Sequence, residues 1–326
     1  MTRSAKPARR TARQPAQPAA GTLPTPDPSA LRLLADIADA GSLTAAAQRL
    51  GTTQPALSKQ LKRLERSLGV AVFERSLRGV RPTEYGAALL PRARAIREQA
   101  RQAGEEVAQR RGRLEGRVVV ALSHFATLAL MPSVLPAFRE RWPGVALRIL
   151  PPTFHLGRLR EGLPDFAVMS LPVARLGNEY STRAVYTTTV AAIVRAGHPL
   201  IGATRLRQLA DADWILPSPE SSIAQGLARA MRDANLAAPR CNVTCETLTG
   251  LETLVAHSDL VGAIPLEVQR ARALASGLVR LPLAETIEGP RVAVLRWADA
   301  RPTPAASFLE QAFVDAAHRL ARRRGR

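Results

Sequence analysis

The sequence predicts an α/β domain preceded by a small, mainly helical unit and a long connecting helix, and three observations predict it. Between Ser42 and Leu68, two helix-forming runs are separated by a glycine turn. From Thr83 to about Gln109 the residues follow a helical repeat without a break. From Gly116 onward, short apolar runs alternate with amphipathic ones, as strands interleaved with helices do. A chain of 326 residues is long enough for two or three domains and at least one large core.

Residues 1–28 are rich in Pro, Ala and Arg without periodicity and read as a disordered basic tail, either adding phosphate attraction or dispensable. The first helix should start from a Ser29 cap and run through Leu31, Leu33, Leu34, Ile37 and Ala38 to Gly41. Ser42 then caps a second helix whose apolar face is Leu43, Ala46, Ala47 and Leu50. Gly51 suits a left-handed stop. Thr53 caps the third helix, with Gln54 and Pro55 in a first turn where a missing N–H is tolerated.

In that third helix Leu57, Leu61, Leu64 and Leu68 form one face, and Gln54, Ser58, Lys59, Lys62, Arg63 and Arg66 form the other. One side is built for burial and the other is a row of donors and cations, as a helix entering a major groove requires. A merely solvated basic face is the alternative for a helix on its own. The small-residue helix and glycine turn before it favour a DNA-binding helix-turn-helix. Its candidate contacts are Ser42, Thr44, Thr53, Gln54, Pro55, Ser58, Lys59, Lys62 and Arg63, of which Lys59 and Arg63 also suit phosphate clamps. Val70–Phe73 and Val80–Arg81 fit the two strands of a wing that would bring Arg75, Arg78 and Arg81 against the backbone beside the groove, simple surface charge being the alternative for each.

Charge follows the same division. Residues 1–115 carry 21 Lys and Arg against 10 Asp and Glu, or +11, residues 116–318 carry 20 against 17, and the last eight carry five Arg. A basic domain joined to a near-neutral one implies a polyanion partner for the former, although a genome biased towards Ala and Arg accounts for part of the excess.

The ordered pieces Ser42-Leu43-Thr44-Ala45-Ala46-Ala47, Gln54-Pro55-Ala56-Leu57-Ser58, Leu64-Glu65, Leu68-Gly69-Val70, Phe73-Glu74-Arg75 and Thr83-Glu84-Tyr85-Gly86 resemble the N-terminal domain of the LysR-type transcriptional regulators. Pro82 departs from the aliphatic residue many members carry there. The resemblance implies a winged helix-turn-helix over 29–86 that reads an interrupted inverted repeat in double-stranded DNA. It also implies a linker helix over 83–112 through which the protein forms a homodimer and, in pairs, a homotetramer. Leu89, Ala93, Ile96, Ala100, Ala103 and Val107 recur along that helix as a coiled-coil seam and are the candidate dimer contacts; a lone helix lying on its own domain is the alternative.

Residues 116–326 resemble the family more loosely, through Glu161-Gly162-Leu163-Pro164-Asp165-Phe166-Ala167 and Leu254–Pro265. The implied architecture is an effector-binding domain of two Rossmann-like subdomains, similar to periplasmic solute-binding proteins. The first covers about 116–170 and 288–326, the second about 186–284, with the chain crossing between them near 170–188 and 284–290. Strand–helix alternation further suggests parallel sheets covered on both faces. In such sheets ligands bind beyond the carboxyl ends of strands. That places Ser123, His124, Thr153, Ser170, Ser221, Ser222, Thr247 and Pro265 around a small polar or anionic effector, each hydroxyl also being suited to an ordinary helix cap.

The five histidines show no metal-ligand spacing, and neither a phosphate loop nor a Gly-x-Ser-x-Gly elbow occurs, so no cofactor, metal or catalytic residue is expected. Cys241 and Cys245, four apart in a strand, are separated by roughly 13 Å, beyond disulfide reach, and read as two thiols or a redox switch. No signal peptide or membrane span is recognisable, which points to the cytoplasm. The reading is an effector-controlled regulator with DNA, and in turn RNA polymerase, as partners. A solute-binding module without DNA function and a metabolic enzyme with an unpatterned site remain the alternatives.

Overall fold

In the computed structural model, which describes residues 25–76, 79–151, 156–170, 176–272 and 277–324, Pro28 opens the first helix. The chain divides into two units at Leu90/Pro91. In the first, α1 spans Pro28–Ala40, α2 Leu43–Arg49 and α3 Gln54–Leu68. Strands β1, Phe73–Ser76, and β2, Gly79–Pro82, pair antiparallel as a wing. Asp27, not Ser29, caps α1, because Pro28 occupies the first helical position and the Asp27 carboxylate then reaches the Ser29 N–H at 2.9 Å. Hydrogen bonds from the Ser29 side chain and backbone hold the Asp27 carboxyl below its ordinary range. Ser42 and Thr53 cap α2 and α3 as predicted, accepting from Ala45 N at 3.1 Å and Ala56 N at 3.4 Å.

Leu34, Ile37, Ala46, Leu57, Leu61 and Leu64 make the core of this unit. The first wing strand begins later than the predicted Val70. Glu65 Oε1 on α3 accepts from Val72 N at 3.0 Å and Phe73 N at 3.5 Å, so the chain must first turn back towards the helix. The second strand is fastened to the α1–α2 turn, where Val80 N donates to Gly41 O at 3.0 Å. Gly79 has φ of 120°, and a Cβ there would run into that same carbonyl. Thr83 Oγ1 accepts from Gly86 N at 3.2 Å and starts α4, Glu84–Arg110.

The second unit takes the rest of α4 and then β3 (Glu115–Leu122), α5 (Met131–Arg141), β4 (Gly144–Leu150), β5 (Phe166–Ser170), β6 (Tyr180–Arg195) and β7 (Asp213–Leu216). It continues with α6 (Ser222–Asp233), β8 (Arg240–Thr244), α7 (Leu248–Ala256), β9 (Val261–Pro265), α8 (Leu266–Arg272), β10 (Leu278–Arg280), β11 (Ile287–Trp297) and α9 (Pro304–Arg324). One sheet runs β4-β3-β5-β11-β6-β9-β7-β8, with β10 on β6.

Its two halves, β4-β3-β5 and β9-β7-β8, are parallel, but β11 is antiparallel to both β5 and β6, and β6 to β9. The sheet is therefore mixed, correcting the expectation of parallel sheets. Each passage between the halves is a strand: β6, 16 residues long, and β11, of 11 residues, pair from Tyr180↔Trp297 to Val190↔Ile287. One core gathers Phe125, Phe138, Phe166 and Phe313, and another Trp214, Leu227 and Met231.

Polar side chains fasten the second part of α4 to this sheet. Gln102 Nε2 donates to Asp165 Oδ1 at 2.9 Å, and Val119 N on β3 donates to Asp165 Oδ2 at 2.7 Å. Burial raises the Asp165 carboxyl above its ordinary value in spite of those donors. Gln109 accepts from Ala305 N at 3.0 Å and donates to Glu115 O at 3.2 Å. Arg101 binds Glu98 at 2.7 Å and Glu105 at 2.6 Å.

Candidate functional site

Helix α3 presents a shallow groove on the side opposite its leucines. Gln54, Pro55, Ser58, Lys59 and Lys62 line it, together with Glu65, Arg66 and the turn Gly69–Ala71. Spacing brings these residues together: positions three and four apart share a face. Leu57, Leu61 and Leu64 are buried beneath, so the cationic face is turned outward by the core and not by chance. Lys59 and Lys62 are exposed, and Arg66 donates to Lys62 O at 3.3 Å.

Arg63 lies on another flank of α3, where its charge acts on Asp27 at the start of α1, and it does not line the groove. Ser42 and Thr53 use their hydroxyls as helix caps, and Thr44 is exposed on α2. The Arg75 backbone pairs with Val80 in the wing; its side chain, like the whole of Arg78, lies outside the described residues.

Along α4, Ala93 has no exposed surface, Leu89 and Ile96 are half-buried, and Ala100, Ala103 and Val107 are exposed, Val107 by 58%. The residues that α4 buries further along are polar, Glu98, Gln102 and Gln109. Periodicity of apolar residues is blind to such a face, which is why sequence reasoning passed over it.

In the second unit a cavity of about 500 Å³ opens at the carboxyl ends of β3, β5 and β9 and at the start of α6. That volume is within the range of small-molecule sites. Of the predicted residues Ser123, His124, Ser170, Ser221, Ser222 and Pro265 line it. Thr153 lies outside the described residues, and Thr247 precedes α7 without lining the cavity or capping the helix through its side chain.

Ser123 Oγ accepts from Ala126 N at 3.3 Å; Ser221 Oγ accepts from Ala224 N at 3.2 Å and donates to Ser218 O at 2.7 Å. Ser221 thus caps α6, and Ser123 caps the helical stretch over 124–130 that leads into α5, while both border the cavity. The walls are largely apolar: Phe125, Met169, Leu248, Leu251 and Ile264. Phe125 stacks on Tyr186 with ring centroids 5.3 Å apart, and Tyr186 Oη donates to Glu267 Oε1 at 2.7 Å.

Sequence reasoning missed Glu220, Gln225, Cys245, Glu246 and Pro290, all on the lining. Glu220 and Glu246 immediately precede Ser221 and Thr247, the residues that flank the starts of α6 and α7, so the rule that points to helix starts could have included them. The cysteines are free, and Cys245 Sγ lies 3.6 Å from Thr247 O.

Among the described residues no group of His, Cys, Asp and Glu is arranged to hold a metal, and no helix is long and apolar enough to cross a membrane. Residues 28–87 match the family described as bacterial regulatory helix-turn-helix protein, lysR family, and residues 111–321 match the LysR substrate binding domain. The HTH-type transcriptional regulator PcaQ of Agrobacterium fabrum is 29% identical over 298 residues, covering 89% of this chain and 94% of its own. A probable hydrogen peroxide-inducible genes activator of Mycobacterium xenopi is 34% identical over 183 residues, 56% of this chain and 96% of its own. Among solved structures, full-length CbnR complexed with its target DNA superposes with a TM-score of 0.66 at 21% identity, covering 89% of this chain and 99% of that one. A full-length OxyR variant from Pseudomonas aeruginosa gives 0.64 at 22%, covering 89% and 94%. At such identities the likeness is one of fold.

Proposed function

This chain belongs to the LysR family of DNA-binding transcriptional regulators with an effector-binding domain, and from that premise we propose which of its surfaces carry each task. The α3 groove enters the major groove of an operator, with Gln54, Pro55 and Ser58 towards base edges and Lys59 and Lys62 on phosphates. The operator is an interrupted inverted repeat, because a two-fold protein reads two-fold DNA. The exposed stretch of α4 at Ala100, Ala103 and Val107 pairs with a second copy, and two dimers form a tetramer. The protein acts in the cytoplasm without catalysis of its own.

The cavity beside Ser123, Ser170 and Ser221 takes the effector. Occupancy there shifts the balance between assembly states and so changes DNA bending or polymerase contact. A single observation supports this reading most: α3 is capped, buried on its leucines and cationic on the side left open.

The test is footprinting of full-length protein on the intergenic DNA beside its own coding region, at several salt concentrations and with candidate metabolites. Protection of two half-sites, lost steeply as salt rises, is the expected result. Absence of any protected site at low salt would end the proposal.

A further inference from the structure

We propose that the effector is a small organic cation, a protonated amine on an apolar body, and that the cavity discriminates against carboxylates. The inference rests on reading the cavity as the effector site and adds the charge of what enters it. Among its described lining residues there is no Lys or Arg, whereas two carboxylates, Glu220 and Glu246, are present.

Helix starts ordinarily draw anions, since each contributes roughly half a positive charge. Here the starts of α6 and α7 are each immediately preceded by one of those glutamates, both exposed and both on the lining, so each positive helix start at the cavity is accompanied by a carboxylate. Some of the N–H groups are also already engaged, Ala224 N by Ser221 Oγ and Ala126 N by Ser123 Oγ. A third carboxylate stands behind the wall: Glu267, 5% exposed, receives the Tyr186 hydroxyl at Oε1, while its Oε2 is buried without a hydrogen-bond partner. Tyr186 in turn stacks on Phe125, which lines the cavity, and Val268, next to Glu267, lines it too. Field and walls together favour a positive head on an apolar body.

Cys245 is a resident reporter, because it lines the cavity and carries a free thiol. In full-length protein with Cys241→Ser, leaving Cys245 as the one thiol, its modification rates by methanethiosulfonates bearing ethylammonium, ethylsulfonate or methyl are compared, each normalised to 2-mercaptoethanol. At low ionic strength the ammonium reagent should be favoured over the sulfonate by about tenfold, and Glu220→Gln with Glu246→Gln should bring the ratio towards one. An unchanged rate for the methyl reagent would show that the double variant keeps its fold. A ratio of one or below, or one that the double variant leaves alone, overturns the proposal. So does failure of the methyl reagent to reach Cys245.

Protection of Cys245 from the methyl reagent by 2-phenylethylamine, but not by phenylacetate, is the corresponding binding result, and the reverse order overturns the proposal. Cation preference combined with operator binding that no amine in a matched series alters would retire the effector assignment and leave the charge preference standing.

Discussion

Around the α3 groove stand Lys59, Lys62 and Arg66, with Glu65 tied back to the wing; around the cavity of the second unit the described charged side chains are Glu220 and Glu246. The groove is open, lined by side chains that reach into solvent, whereas the cavity is walled by aromatic and aliphatic groups. The difference matches the two tasks proposed for them. A polyanion is gathered over a long range by many exposed cations, in a salt-dependent manner. A small molecule is held by exclusion of water and a few placed polar groups. The chain's +19 net charge lies mostly in its N-terminal third and last eight residues and says nothing of the cavity.

The largest expected effect breaks one unit and spares the other. Leu57→Ala removes the best-buried leucine under the groove and should destabilise the first unit by about 2–5 kcal/mol. Calorimetry should then show one transition lowered and the other in place; a common shift would mean that the units do not fold independently.

Asp165→Ala should act on the second unit, at about 1–3 kcal/mol, by leaving Val119 N–H and Gln102 without their acceptor. The Asp165 carboxyl titrates above its ordinary 3.8 in the folded chain, so between those two values the folded state holds the extra proton. Stability from this group is therefore present at low pH and falls as pH rises through the folded value. Asp165→Asn should remove that slope, which denaturant titrations across the acid range would detect.

Lys59→Ala should weaken operator binding by about tenfold at moderate salt and lower the slope of log K against log salt by about one, if it holds a phosphate. Loss of base preference with an unchanged slope would assign it to base reading instead. The smallest effect should be equal in both regions: Ser42→Ala and Ser221→Ala each remove a helix cap, at about 1 kcal/mol by denaturant melting.

Local chemistry was legible without the structure. The Ser42 and Thr53 caps, the leucine face of α3 and the strand ends bearing Ser123 and Ser170 follow from residue type and spacing, since their partners are a few residues away. Two misplacements, the Asp27 cap and the late first wing strand, arose where a neighbour outcompeted the nearest candidate: a proline at the helix start, and Glu65 reaching seven residues to Val72 N.

By itself the sequence determined the family, through the resemblance of its ordered motifs, and which helix faces outward with its cations, because that depends on periodicity and short-range capping. Only the tertiary structure decided that β6 and β11 carry the chain between the halves of one sheet, that Gln102 meets Asp165, and that Cys245 and two glutamates share a cavity with Ser123. Those are contacts between residues tens of positions apart or more. Pairing across such distances depends on how strands stack side by side, and no repeat in the sequence records it.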